Sequence, residues 1–117
     1  MTKVVINRCY GGFGLSDDAV ERYAQLKGIN LGPRQKSSYG GAHWYIDDIR
    51  DDEHYYSSHV IEGRSDPILI QVIEEMGNAA DGWAADLAIV EIPDDVQWHI
   101  EEYDGMEWVA ENHRTWT

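Results

Sequence analysis

The sequence predicts an α+β fold: a mostly antiparallel sheet with two helices packed on one face. Three observations carry this. A β-branched run, Val4 to Asn7, passes through a glycine-rich loop into a capped helical stripe. A second helix opens at Asp66-Pro67. After an apolar run at Leu87–Ile92, the last third alternates apolar and polar residues around an Asp104-Gly105 turn.

Val4 to Asn7 reads as a buried strand because its apolar residues run without polar alternation. Gly11, Gly12 and Gly14 then bracket Phe13 in a tight strand-to-helix turn. Ser16 is the N-cap of the first helix, and Asp17 and Asp18 complement its dipole. Ala19, Val20, Tyr23, Ala24 and Leu26 form its apolar stripe, so it runs from Asp17 to Lys27 and stops at Gly28. Ile29 and Leu31 begin a short strand halted at Gly32-Pro33.

Residues 33–63 read as an irregular, aromatic and acidic insertion within a single domain spanning 1–117. His43–Ile46, His54–Tyr56 and His59–Ile61 are short strand candidates within it. So long a loop in a compact domain is expected to bind something. In the second helix Asp66 is the N-cap, Pro67 the first helical residue, and Ile68, Leu69, Val72, Ile73 and Met76 the buried face. Leu87–Ile92 is a strand stopped by Pro93. Val96, Trp98 and Ile100 alternate with polar residues, and Met106–Glu111 returns after the turn.

The chain has 9 Lys and Arg against 22 Asp and Glu, a formal net charge of −13. That disfavours direct contact with a nucleic-acid backbone, which needs clustered positive charge. The acidic surface is either plain solubility or an imitation of a phosphate backbone that occupies a nucleic-acid-binding partner. No apolar run approaches the ~18 residues of a membrane span, and no signal pattern opens the chain, so a cytoplasmic protein is expected. The single cysteine, Cys9, fits a reducing compartment.

Candidate chemistry is sparse. Five histidines show no metal-type spacing, so neither a metal nor a cofactor is expected. Cys9, beside Arg8 and near a helix start, has the surroundings of an activated thiol, although a lone cysteine at a strand end is commonly packing. Asp47, Asp48, Asp51, Asp52, Asp94 and Asp95 lack any pairing pattern for acid–base work. The glycine loop invites a phosphate, but Asp17 and Asp18 would repel it. Five Trp and seven Tyr against one Phe favour rings with a polar handle, which suit interfaces and base stacking. A pocket joining Trp83, Trp108 or Trp116 with Arg114 or Arg64 would stack a base and pair a phosphate; the alternative is that these rings fill the core and a subunit contact.

Val4-Val5-Ile6-Asn7-Arg8-Cys9-Tyr10-Gly11-Gly12-Phe13-Gly14-Leu15-Ser16 resembles the opening of a family of small proteins encoded by phages and prophages. Ile89–Val96, Glu102–Glu111 and His113–Trp116 resemble its C-terminal motifs, while residues 30–62 fall outside the match. At a greater remove, the family is similar to the first-described phage Thoeris anti-defence proteins. These are sponges for cyclic ADP-ribose isomers, and in some cases for cyclic oligonucleotides, which they hold without cleaving. The resemblance implies a dimer or hexamer in the host cell cytoplasm. It implies ligand contacts from an aromatic ring and polar groups flanking the strand before Ile92-Pro93-Asp94, and from a C-terminal Arg. Here those are Trp83, Asp94 and Arg114. The expectation is therefore a non-enzymatic counter-defence protein that sequesters a cyclic nucleotide. The alternatives are an acidic, anti-CRISPR-like inhibitor of a nucleic-acid-binding defence protein, and a small enzyme using Cys9 or a histidine.

Overall fold

The computed structural model describes residues 1–36, 42–58 and 63–112, and the fold is α+β. Strands β1 (Thr2–Asn7) and β5 (Leu87–Ile92) pair antiparallel, with Val4 opposite Val90 and Val5 opposite Ile89. Both strands are apolar on both faces, which is how a strand covered on two sides reads. Val5 joins the core beneath the helices, with Leu87 and Ile89 packed against it. Val4 and Ile6, on the other face, are equally enclosed (0% and 4% exposed).

Helix α1 (Asp17–Leu26) starts where Ser16 Oγ accepts the Ala19 N–H at 3.2 Å. The same hydroxyl donates to the Ala79 carbonyl at 2.6 Å and so ties the helix start to the turn after the second helix. At the other end, Gly28 N–H reaches the Gln25 carbonyl and Ile29 N–H the Ala24 carbonyl, the paired bonds that close a helix C-terminus. Helix α2 (Pro67–Met76) is capped by Asp66, which accepts the Ile68 N–H at 2.9 Å. Asp66 also accepts the Tyr23 hydroxyl at 2.5 Å and lies 2.9 Å from Lys27 Nζ. One nearly buried carboxylate thus fastens the start of α2 to the end of α1. Burial pushes its pKa up, but the Tyr23 and Lys27 hydrogen bonds outweigh that and leave it below the ordinary aspartate value.

The stretch expected to be irregular carries three short strands, β2 (Gln35–Lys36), β3 (Ala42–Tyr45) and β4 (Tyr55–Tyr56), in the order β2-β3-β4. Trp44 on β3 is 1% exposed and anchors this ladder in the core, its indole N–H donating to Glu21 at 2.9 Å. Leu31 makes a single bridge to Ile46 rather than a strand of its own. The candidate at His59–Ile61 lies outside the described residues. Strands β6 (Trp98–Tyr103) and β7 (Met106–Glu111) form a hairpin, and β7 packs on β1. Asp104 and Gly105 both have positive φ (53° and 94°), the geometry of a tight two-residue hairpin turn. The sheet is divided: β1-β5, β2-β3-β4 and β6-β7 are separate ladders. Pro93 and the turn after it end β5, so β6 enters a new hairpin instead of pairing back onto β5. Among the described residues no helix is long and apolar enough to cross a membrane.

Candidate ligand-binding cleft

The loop after β1 has two sides. One is closed by a polar clasp. Asn7 is wholly buried, and its side-chain oxygen and nitrogen are both hydrogen-bonded. Nδ2 donates to the carbonyls of Cys9 and Gly105, both at 2.8 Å, and Oδ1 accepts the Asp86 N–H at 2.8 Å with the Cys9 thiol 3.4 Å away. The nearer partner of that thiol is the Ala84 carbonyl at 3.0 Å. Asn7 N–H donates to Glu107 Oε1 at 2.8 Å, and Arg64 grips both oxygens of Glu107 at 2.6 and 2.8 Å. The Arg64 guanidinium also lies 3.5 Å from the Phe13 ring centre. Burial pushes the Glu107 carboxyl up, but Arg64 and the Asn7 N–H together hold it below the ordinary glutamate value. Two glycines make the approach feasible. A Cβ on Gly11 would sit 1.8 Å from the Ala84 carbonyl oxygen, and one on Gly105 2.7 Å from Gly12 N.

The other side of the loop is open. Gly11 to Asp17, the segment Asp81–Ala85, and side chains of β3 and β4 surround a cleft of about 750 Å³. That lies within the ~300–1,000 Å³ usual for small-molecule sites. Trp83 stands at it without protein cover (102% relative exposure). Tyr55 is half exposed and stacks on His43, with ring centres 5.3 Å apart. Ser57 and Ser58 add hydroxyls, and Asp17 and Asp81 add carboxylates. A second hollow of about 660 Å³ runs along α1, but its carboxylates Asp18 and Glu21 are both bonded to Arg34, and its indole, Trp44, is buried and bonded to Glu21. Of these two hollows, the first is the one that offers an uncovered ring among the described residues.

The structure brings one of the sequence candidates, Trp83, to this cleft. Asp94 lies beyond the far end of β5, where it accepts the Thr2 hydroxyl at 2.7 Å and meets the N-terminal ammonium at 3.1 Å. A strand of that length spans about 20 Å, so Asp94 and Trp83 do not share a pocket. Trp108, on β7, donates its indole N–H to Glu101 at 3.1 Å and does not line the cleft. Arg64 touches the cleft only through Phe13, its charge being taken by Glu107. Arg114 and Trp116 lie outside the described residues. Lys3, Arg22, Lys27, Arg34 and Arg50 all contact carboxylates, whereas Arg8 and Lys36 are exposed with no carboxylate partner among the described residues. The contributions of His43, Tyr55 and the serines were not anticipated. The signal was the recurrence of rings in 43–45 and 54–56, which pairing of β3 with β4 brings together.

The candidates for other chemistry are also placed. His54 hydrogen-bonds Asp51 at 2.6 Å, and His99 contacts Glu101 and Asn112, which raise its pKa. No group of three or more His, Cys, Asp or Glu among the described residues is arranged to hold a metal. Asp47 to Glu53 are exposed around a tight turn, and Asp48 is paired with Arg50.

No protein-family profile, curated protein or solved structure matches this chain.

Proposed function

We propose that this protein is a phage counter-defence protein that binds a small cyclic nucleotide immune signal in the cleft beside Trp83 and holds it uncleaved. Cyclic ADP-ribose isomers and cyclic oligonucleotides are the candidate ligands. The observation that carries the reading is Trp83, an indole with no cover at the mouth of a cleft of about 750 Å³. A fully exposed Trp is costly to leave in water and gains by stacking on a heterocycle. The resemblance of the opening and closing motifs to a family of small phage- and prophage-encoded proteins, itself similar at a greater remove to the Thoeris anti-defence sponges, supports the same reading. Arg8 and Lys36, and Arg114 outside the described residues, are the cations left to meet phosphates. Asp94, Trp108 and Arg64 would then act in stability or assembly rather than in contact with the ligand, and Trp116 stays a candidate outside the described residues. The assembly, a dimer or hexamer, would use the outer edge of β5, which has a strand neighbour on one side only among the described residues.

The test is retention. Purified protein is incubated with cyclic ADP-ribose isomers and cyclic dinucleotides, desalted, then heated. Intact ligand in the supernatant is expected. Altered ligand would mean an enzyme, and no retention would end the proposal.

A second reading rests on the exposed run Asp47, Asp48, Asp51, Asp52 and Glu53, which would imitate a phosphate backbone toward a defence protein. Replacing the four aspartates by Asn should then abolish counter-defence activity. Full activity in that variant excludes this surface.

A further inference from the structure

The cleft has a charge character that the reading above leaves unspecified. Among the described residues its lining includes the rings of Trp83, Tyr55 and Phe13 and the carboxylates of Asp17 and Asp81, but no lysine or arginine. The guanidinium of Arg64 lies over Phe13 and is bonded to both oxygens of Glu107. Arg34, the cation nearest Asp17, stands 3.9 Å from it and makes its closer contacts with Asp18 and Glu21. Asp81 Oδ1 accepts the Leu87 N–H at 3.0 Å, which fixes that carboxylate at the cleft wall. The whole chain adds a net charge of −13. Aromatic faces attract cations, and carboxylates beside them add to the attraction. A phosphate in the same place would meet two carboxylates and no lysine or arginine among the described residues.

We infer that the cleft selects planar heterocycles whose ring carries positive charge over neutral rings, and excludes phosphates from its interior. This rests on the reading of the cleft as the nucleotide site. Its consequence is an orientation: the ring enters against Trp83, and the phosphates stay outside. Helix α1 begins at the cleft, yet the carboxylate of Asp17 in its first turn opposes the anion that a bare helix start would favour.

Three small probes test this through quenching of tryptophan fluorescence and calorimetry. They are 1-methyladenosine, whose ring is cationic at neutral pH, adenosine, and adenosine 5′-monophosphate. The full chain should bind 1-methyladenosine about 10-fold more tightly than adenosine, the scale of a partly desolvated cation–π contact. The monophosphate should bind more weakly than adenosine. Trp83→Ala should remove binding of all three, and Asp17→Asn should shrink the preference for the methylated ring over adenosine. Equal binding of the first two, a monophosphate bound as well as adenosine, or no binding of any probe at millimolar concentration each overturns the inference. Its failure is separable from failure of the sponge reading. The expected order without retention of cyclic nucleotides sinks only the sponge, and retention with the order reversed sinks only the charge selection.

Discussion

On the side of the loop Cys9–Gly14 that faces the hairpin, polar groups are answered from within the chain. Asn7 bridges Cys9, Asp86 and Gly105, while Glu107 joins Arg64 to the Asn7 amide. On the opposite side the same loop walls a cleft whose most prominent ring, Trp83, touches nothing. The two sides show that residue type alone does not mark a site. An arginine, a cysteine and a buried amide with reactive reputations are consumed as structure, and an uncovered indole is what remains for a ligand. Stability should therefore depend on the first side and binding on the second, and substitutions can break that division.

The largest loss of stability is expected from Glu107→Ala. It leaves Arg64 without its carboxylate in a mostly enclosed position and strands the Asn7 N–H. Breaking a buried ion pair on one side costs about 3 kcal/mol, which a urea titration would read as a lower midpoint. Ligand affinity of the folded fraction should stay within about two-fold of wild type, about 0.4 kcal/mol on the affinity scale. A comparable loss of affinity would mean that the clasp and the cleft are one unit.

Gly11→Ala comes next and tests the shared wall. Its new methyl would collide with the Ala84 carbonyl, and overpacking of this kind costs about 2 kcal/mol. Because the wall itself must move, both the urea midpoint and ligand affinity should fall. A change in the midpoint alone would show that the cleft tolerates the displacement.

Asp66 gives a smaller effect with a pH signature. Its folded pKa lies below the unfolded value, so its contribution is present above the ordinary aspartate range near pH ~3.9 and is lost as pH falls through the folded value. Asp66→Ala should cost about 1 kcal/mol at neutral pH from the lost cap alone. Thermal melts of wild type and variant should converge on acidification. Curves that stay parallel down to pH 2 would contradict the role given to this carboxylate.

The local signals in the sequence were legible because they rest on near neighbours. Ser16, Asp66-Pro67 and Asp104-Gly105 each announce a boundary through their own backbone preferences, and each boundary falls within about one residue of the expected place. The division into three ladders was not legible, because the choice of strand partner depends on contacts between residues far apart in the chain. The clasp shows the same limit. Asn7, Arg64, Ala84, Gly105 and Glu107 share no spacing rule and meet only when the hairpin docks on β1. Trp83 was legible as a candidate through the resemblance and through the bias toward Trp and Tyr, a bias that did not separate it from Trp108 or Trp116. Asp94 was not separable from it by sequence, because the strand that holds them apart is also what makes them look adjacent.

Trp83→Ala is the smallest expected change in stability, within about 0.5 kcal/mol, because the ring has no protein contact to lose. It is also the most direct test. Wild type and Trp83→Ala, confirmed to melt together, would be incubated with the cyclic nucleotides and assayed by mass spectrometry for intact ligand released on heating. Retention by wild type and none by the variant is the predicted result. Equal retention by both, at matched melting temperatures, would contradict the assignment of the binding site to this cleft.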